Sequence, residues 1–427
     1  MQVNINKAFL TSALVTAIAI PSVTQAAFIE DSEGSLSLRN FYMNRDYRDT
    51  GLPGAPMHKG QQQSKSEDWG QAFMLRLKSG YTEGTIGLGV DAIGLAGFKL
   101  DSGGGTGGTG SLVRSRHSGK SADQHGSLGL TAKAKLAETV LTIGTHEPTL
   151  PIAFRNDTRL LPQTFEGGQI QSKAIENLTL TAGQFKKTRT RDSTNDQRLS
   201  MYSDGSTGGV TSNRFNFAGA SYTFIPGLTG TYFYAELKDN YKQHHSNLQY
   251  LTDLTNEVKF KADLRHFNSS NKGSTNVDNR LTSANFALGY QNHWLGLTYQ
   301  NSSGKTGLPI LGGATDPWVA NIATYHIFIR AKEDSWQARY DYSFADFGLP
   351  GLKFMARYIR GDNFKIKDKA GAFNSAKEWE RDIDIGYTIQ SGPLKDLSLM
   401  VRNVMYRGSH TTDIDENRII ANYTFNF

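Results

Sequence analysis

The sequence contains no cysteine. Disulfide bonds, thiolate metal sites and cysteine nucleophiles are therefore excluded, and the composition is compatible with an exported, oxidising location. The long apolar runs of about 20 residues that helical membrane proteins need are absent too, and the mean hydropathy is -0.46. Aromatic residues (11%) and glycine (44 residues) are abundant, which argues against disorder and favours many short strands joined by turns.

The first 26 residues have the organisation of a signal peptide. Lys7 is their only charged residue, residues 8–20 form an apolar run too short to span a membrane, and Thr24-Gln25-Ala26 provides small residues for cleavage. A buried N-terminal helix is the alternative, which Pro21 disfavours because proline follows the apolar run at once. We therefore predict a leader at 1–26 and one mature domain at 27–427.

Basic residues exceed acidic residues only slightly, giving a net charge of +6. Such an excess would suit nucleic acid, anionic lipid or acidic substrates. Nucleic-acid binding would require a basic cluster, whereas these charges are dispersed along the chain. We therefore predict no nucleic-acid partner.

Apolar and polar residues alternate with a period of two, most clearly in the last eleven residues. Ile419, Ala421, Tyr423, Phe425 and Phe427 share one face, and polar residues dominate the other. A soluble β-sandwich would also alternate. Aromatic residues crowding one end of the apolar face are instead typical of a membrane-barrel strand with an interfacial girdle, and the terminal Phe resembles the sorting signal of bacterial outer-membrane barrels.

Turn motifs divide the chain into strands. Pro-Gly turns at 226–227 and 350–351 and Gly-Pro at 392–393 lie between alternating segments. The pattern predicts about 18 strands, an even number that lets the sheet close with both ends on the periplasmic side. The longer loops, which are polar or glycine-rich, are predicted to be external: 46–68, 101–124, 146–167, 188–213, 303–332 and 363–378.

Motifs for catalysis, metal or cofactor binding are weak. Gly119-Lys120-Ser121 ends like a phosphate-binding loop, but Arg114 occupies the position of its first glycine. The glycine-rich stretch 101–110 is interpreted as a mobile external loop. The histidines lack the spacing of a zinc site and are interpreted as solvent-facing loop or rim residues: His117, His125, His146, His244 and His245. We predict no catalytic residues, no metal and no cofactor.

Several cations fall on the polar faces of predicted strands. Leu36 and Leu38 face away from Arg39, for example. The same holds for further basic residues near both ends of the chain: Arg76, Lys78, Arg402 and Arg418. If the apolar faces contact lipid, these side chains point into the lumen as solvated charges. Their strands adjoin in a closed barrel, so we expect the arginines to cluster on one wall; the alternative is an ordinary polar interior.

Three segments resemble the OprD-type outer-membrane carboxylate channels: G-x-x-x-x-R-N-F-Y-x-N-R-D at 34–46, E-P-T at 147–149 with N-D-T-R-L-L-P-Q-T-F at 156–165, and S-W-Q-A-R-Y-D at 335–341 with G-L-P-G-L at 348–352. The resemblance covers nearly the whole mature chain. It implies an all-β, 18-stranded monomeric pore whose third external loop folds inward, and a ladder of basic residues that guides a substrate carboxylate.

Position by position, the resemblance places Arg39, Arg159, Arg402 and Arg418 on this ladder, which we call the basic track, with Arg159 on the inward loop. Met400 stands where family members can carry another arginine, and Arg76 or Lys78 is a weaker candidate to compensate. Tyr, Asp and Gln residues of the inward loop or of 303–332 are expected on the opposite wall. Asp157 and Asp316 are candidates, with turn formation as the alternative.

The sequence thus predicts a channel without catalytic chemistry for small carboxylates, monocarboxylates and aromatic or cyclic acids included. Arginine suits this role because its planar fork meets a carboxylate with two hydrogen bonds and its charge does not titrate. Uptake of basic amino acids or peptides, a barrel hydrolase and an adhesin are the alternatives. The expected partners are carboxylate solutes and outer-membrane lipids, with a monomer or weak homotrimer as the oligomeric state.

Overall fold

One antiparallel sheet curls into a closed barrel. The computed structural model describes residues 25–48, 51–58, 60–115, 118–313, 315–367 and 372–427. Residues 1–24 of the predicted leader lie outside this range. Among the described residues, no helix has the length and apolar character that crossing a membrane would require.

The described residues contain one short α-helix, α1 (Gln25–Glu30), and one 3-10 helix (Phe344–Phe347). The barrel strands are β1 (Glu33–Tyr47), β2 (Lys65–Lys78), β3 (Gly87–Asp101), β4 (Gln124–Leu136), β5 (Thr139–His146), β6 (Thr164–Ile175), β7 (Leu178–Arg189), β8 (Phe215–Ile225), β9 (Leu228–Leu237), β10 (Tyr241–Asp253), β11 (Val258–Asn271), β12 (Asp278–Tyr290), β13 (His293–Gly304), β14 (Asp334–Ser343), β15 (Leu352–Lys367), β16 (Phe373–Thr388), β17 (Ser398–Gly408) and β18 (Ile414–Asn426). Two-residue strands in the loops are Met57–His58, Gln61–Gln62, Thr149–Leu150, Ala153–Phe154, Gln197–Arg198, Met201–Tyr202 and Ile310–Leu311.

Each barrel strand pairs with its successor along the chain, and β1 also pairs with β18. At this seam, the backbone N–H groups of Gly34 and Phe427 each donate to the other residue's carbonyl oxygen, at 2.8 and 2.9 Å. The predicted closed barrel of 18 strands, almost without helix, is confirmed. Strand ends differ, since β2 begins at Lys65, inside the external loop predicted at 46–68.

Side chains alternate between the lumen and the outer wall. On β1, the inward-facing Phe41 and Met43 are almost fully buried, whereas Leu128 on β4 and Ile143 on β5 face outward and are 71% and 57% exposed. Large exposed apolar side chains recur around the outer wall, as is typical of a barrel surface that contacts lipid.

The third external loop (147–163, loop 3) folds into the lumen between two apolar clusters. Leu160 and Leu161 pack with Phe41 and Met43 on the β1 side. Ile152 belongs to the other cluster, a group of aromatic side chains on β6 to β9. Loop 3 therefore crosses the barrel and is anchored at both walls.

The end of the glycine-rich stretch 101–110 is buried, and the part of the second external loop (102–123) that follows it packs against loop 3. Leu112 is 1% exposed and packs beside Leu160 of loop 3. The Thr109 backbone N–H and hydroxyl both donate to Asp68, at 3.2 and 2.5 Å. The sequence of this loop lacks apolar periodicity, so its few anchoring residues were not recognised as buried.

Candidate functional site

Strand order brings arginines near both ends of the chain together on the inner wall. Arg402 on β17 is directly opposite Arg418 on β18, and Arg39 on β1 is opposite Asn422 on the same β18. Arg76 lies on the next strand, β2. The seam of the barrel therefore runs through this group of cations.

Arg39 connects the wall to loop 3. Its Nη1 donates to Asp157 Oδ1 and to the carbonyl oxygen of Arg159, both at 2.7 Å, and its Nε donates to Asn422 Oδ1 at 3.0 Å. Both side chains of the Arg39–Asp157 pair are partly exposed. A solute in the lumen therefore has access to this pair.

Arg418 and Glu416 form a buried pair on β18, and Arg418 is only 1% exposed. Glu416 also pairs with Arg45 at 2.6 Å. The expectation that track arginines are solvated is therefore wrong for Arg418. Its guanidinium is covered by two loops, a long-range contact that strand alternation does not reveal.

Arg159 is also buried, at 6% exposure. Its guanidinium donates to the carbonyl oxygens of Thr109 at 3.2 Å and Thr158 at 2.9 Å, and it forms no ion pair with a carboxylate among the residues described. Burial, followed by repulsion from Arg418 and Arg191, lowers the pKa of Arg159 well below its usual value. Positive charge is thus concentrated where loop 3 meets β18.

Arg402 is held by the carboxylate of Asp384 on β16, with Nε 2.6 Å from Oδ1 and Nη2 on the other oxygen. Both side chains are partly exposed. Met400 shares the inner face of β17 with Arg402 and lines, with Asp384 and Asn422, an open cavity of about 660 Å³ near the periplasmic end. The cavity wall therefore has a thioether where a further arginine would project.

The weaker candidates, Arg76 and Lys78, do not line the cavity beside Met400. Arg76 makes a bidentate pair with Glu147, the first residue of loop 3, at 2.7 and 2.8 Å. Lys78 is exposed at the periplasmic end of β2. Arg76 therefore fixes the base of loop 3, and neither side chain occupies the space beside Met400.

Four carboxylates at every second position of β16 face inward: Glu378, Glu380, Asp382 and Asp384. These four residues were not predicted, although the motif E-W-E-R-D-I-D at 378–384 contains the pattern. Inward acidic side chains at adjacent levels need cationic or N–H partners. The seventh external loop (305–333, loop 7) supplies most of them.

Loop 7 is bound to β16 through its backbone. Glu380 accepts hydrogen bonds from the N–H groups of Tyr325 at 2.7 Å and His326 at 2.8 Å, and Asp382 accepts from the N–H of Thr324 at 3.2 Å. Asp382 also pairs with Arg357 on β15. Loop 7 is therefore held against the wall near Arg418.

Loops 3 and 7 also contact each other. Asn156 Nδ2 donates to Asp316 Oδ1 at 2.9 Å, and the rings of Phe154 and Trp318 are 5.1 Å apart. Burial raises the pKa of Asp316 to about 6, although Arg191 opposes this shift. Of the two aspartates predicted for the opposite wall, Asp157 instead pairs with Arg39, and Asp316 joins the two loops.

The wall across the lumen from the seam carries another cation. Arg265 on β11 pairs with Asp263 and lies 5.1 Å from the Trp318 ring. It also donates to the carbonyl oxygens of Trp318 and Val319, both at 3.2 Å. Arg265 therefore anchors loop 7 on the side opposite the basic track.

Histidines provide no metal site in the part of the chain that the structure describes. His125 and His245 are buried on the inner face, at 6% and 0% exposure, and are therefore not the solvent-facing residues expected. Both residues face the lumen, on β4 and β10, and the ring of His245 lies 4.2 Å from that of Phe267. His117 lies outside the described residues.

Comparison with known proteins identifies the family. The family described as "outer membrane porin, OprD family" matches residues 26–427. A porin-like protein GalP of Pseudomonas putida is 37% identical over 423 residues, covering 97% of this chain and 96% of that protein. Crystal structures of Pseudomonas aeruginosa OccK9 (OpdG) and of OpdK with vanillate superpose with TM-scores of 0.86 and 0.83, at 41% and 35% identity.

The match with OccK9 covers 94% of this chain and 100% of OccK9. The match with OpdK covers 93% of this chain and 99% of OpdK. The relatives are channels, and they share the closed barrel described above. The chain therefore belongs to the OprD family and is a β-barrel porin of the Gram-negative outer membrane.

Proposed function

We propose that the pore conducts small monocarboxylates, aromatic or cyclic acids included, by passive diffusion along the basic track after removal of the leader at 1–26. The observation that carries the proposal is the position of Arg159 in the constriction, the part of the lumen where loops 3 and 7 meet β18. Arg159 is buried there without an ion-pair partner among the described residues, close to Arg191 and Arg418, and its backbone carbonyl is bound by Arg39. An anion entering the constriction is attracted by this unpaired positive charge.

The arginines differ in what they can offer a solute. Arg39 and Arg402 are partly exposed, and each is already oriented by an internal carboxylate. A substrate carboxylate can therefore replace Asp157 at Arg39, or Asp384 at Arg402. In either case it binds a guanidinium group that is already oriented. Buried Arg159 and Arg418 act at short range through their charge. At an effective dielectric of about 20, one cation 4 Å from a carboxylate contributes on the order of 4 kcal/mol before desolvation is subtracted.

This exchange keeps each contact weak enough for release. A solute that displaces Asp157 gains one ion pair while the internal pair is lost, so the net attraction is smaller than the Coulomb energy alone. Conduction needs such a balance, because a strongly bound solute would block the pore. The crystal structure of the relative OpdK with vanillate, an aromatic carboxylate, supports the substrate class proposed.

The four carboxylates of β16 are the feature that would favour basic solutes instead. Glu378, Glu380 and Asp382 are engaged by loop 7 or arginine side chains, and Asp384 is neutralised by Arg402. Carboxylate transport is therefore the better supported function. Uptake of lysine and arginine is measured in the same assay, because the alternative function, transport of basic solutes, predicts it.

The test is uptake into liposomes at low ionic strength, with benzoate-like acids, short aliphatic acids, lysine and an uncharged sugar. The Arg159→Gln/Arg402→Gln variant should lose carboxylate uptake by a factor of several and keep sugar uptake. Arg280→Gln/Arg360→Gln removes the same charge from outward-facing positions on β12 and β15 and is the matched control. Unchanged carboxylate uptake in the first variant, or preferential lysine uptake by the unaltered protein, would overturn the assignment.

A further inference from the structure

A band of polar side chains interrupts the lipid-facing wall at the seam. Arg381 on β16, Asn403 on β17 and Asn417 on β18 all face outward, because their chain neighbours Asp382, Arg402 and Arg418 face the lumen. Asn44 on β1 is opposite Asn417. One row of polar groups thus crosses four adjoining strands.

Hydrogen bonds connect the side chains of Arg381, Asn403 and Asn417 in series. Arg381 Nη2 donates to Asn403 Oδ1, and Asn403 Nδ2 donates to Asn417 Oδ1 at 2.8 Å. Just below lie exposed apolar residues of the membrane belt, Val401 at 54% and Ile419 at 52% exposure. The row therefore borders the hydrocarbon region and does not belong to the hydrated loops.

Aromatic side chains mark the membrane interface beside Arg381. Trp379 lies two residues towards the external end of β16, and its ring is 5.6 Å from that of Tyr358 on β15. Tyr358 is the cross-strand partner of Arg381 and also contacts Trp336, at 5.5 Å. Trp and Tyr in such a girdle sit at the level of lipid headgroups. Arg381 is thus one level below the external girdle.

The charge of Arg381 has no internal compensation. It forms no ion pair with any carboxylate in the described ranges, and its Nε is covered yet has no hydrogen-bond partner. Arg360, its outward-facing neighbour on β15, has Asp362 at 3.6 Å. A lipid-facing cation at this depth is destabilising unless an anion accompanies it.

We propose that the patch formed by Arg381, Asn403 and Asn417 binds the phosphate of a phosphorylated glycolipid in the outer leaflet. Arg381 provides a planar fork for the phosphate oxygens, and the asparagine amides provide hydrogen-bond partners for the sugar hydroxyls. Trp379 and Tyr358 are placed to pack beside the headgroup. Because the positive charge of Arg381 is uncompensated, the occupant we assign to the patch is an anionic lipid and not a second copy of this chain.

The test uses the full-length protein in nanodiscs of two compositions: phosphatidylcholine alone, or phosphatidylcholine with a disaccharide lipid carrying two phosphates. Arg381→Leu should raise the unfolding temperature in the first membrane, because an uncompensated charge is removed from the lipid face. In the second membrane the same substitution should lower it. A shift of the same sign and size in both membranes would overturn the proposal.

Lipid retention provides the second measurement, with substitutions that remove one charge at either membrane face. Native mass spectrometry should find several-fold less bound phosphorylated lipid for Arg381→Gln than for Lys395→Gln, in the exposed periplasmic turn at 389–397. The dephosphorylated lipid should not distinguish the two variants. Equal retention by both variants, or a self-associated protein whose seam cross-links to a second copy, would refute lipid binding at this patch.

Discussion

Arg418 Nη2 donates a 3.2 Å hydrogen bond to the carbonyl oxygen of Thr324 in loop 7. Its Nη1 donates to the carbonyl oxygen of Thr158 in loop 3, at 3.3 Å. One buried side chain on the last strand thus contacts both loops that fill the lumen. Arg418 stabilises the constriction as well as charging it.

Replacing Arg418 by Met should therefore destabilise the barrel. Removing one member of a buried ion pair costs on the order of 3 kcal/mol, and Arg45 compensates Glu416 only in part. We expect a lower unfolding temperature by circular dichroism and larger fluctuations in single-channel current. Arg402→Met, at a partly exposed pair, should destabilise less. Equal stability of the Arg418 variant and the unaltered protein would show that the loops are held elsewhere.

Glu380→Ala should release loop 7, because two backbone N–H groups lose their common acceptor. The expected result is a conductance higher than that of the unaltered channel and weaker discrimination among carboxylates, measured in planar bilayers. Glu380→Gln retains one acceptor oxygen and should have an intermediate effect. Glu236→Gln, on the outward face of β9, is the charge-matched control. If the Glu380→Ala channel had the same conductance as the Glu236→Gln control, this role of Glu380 would be contradicted.

Asp157→Asn should make the pore more selective for anions. The change removes the internal competitor for Arg39 and leaves a residue of the same size. In a salt gradient, the reversal potential should shift towards the equilibrium potential of the anion. The shift should be largest at low salt, where screening is weakest. A shift towards cations would mean that Arg39 is not accessible to solutes.

Anion selectivity should rise as the pH falls through about 6. The pKa of Asp316 is raised to about 6, so this carboxyl is ionised at pH 7.5 and mostly neutral at pH 5. Its neutralisation leaves Arg191 and Arg159 with less compensating charge. Asp316→Asn should abolish the pH step in reversal potential. The raised pKa also means that Asp316 contributes more stability below about pH 4 than above pH 6, so the substitution should flatten this part of the stability profile.

Deleting Pro151–Asp157 should raise conductance by a factor of several and reduce selectivity. The segment includes Ile152 and Ala153, which pack in an apolar cluster inside the barrel, and Asp157, which binds Arg39. Removing it opens the lumen and frees a track arginine. Folding is checked by the β-sheet signal in circular dichroism. A well-folded deletion variant with unchanged current would show that loop 3 does not limit the pore.

The barrel was predictable because its determinants are local. Strand β18 shows period-two alternation, and short turns such as 226–227 separate neighbouring strands. Boundaries were less predictable where strands extend beyond the lipid. Residues Lys65–Asp68 begin β2, but they are polar and carry no apolar signal. Their pairing with β1 is visible only in the folded sheet.

The site was predictable in position but not in environment. Alternation places Arg402 and Arg418 on the inner face, yet the burial of Arg418 depends on Thr324 and Thr158, which lie 94 and 260 residues away along the chain. The role of Glu380 likewise depends on backbone groups of loop 7. Such contacts follow from the path of the loops, which hydrophobic periodicity does not encode.

Closure of the barrel between β1 and β18 also determines when the constriction can form. The two strands of the seam are separated by most of the chain, so their pairing has the largest loop-closure cost of any pair in the barrel. Arg39 lies on one side of this seam, and Arg402 and Arg418 lie on the other. A folding intermediate with an open seam would have most of its wall but no assembled basic track, so anion selectivity should emerge only with the last strand pairing.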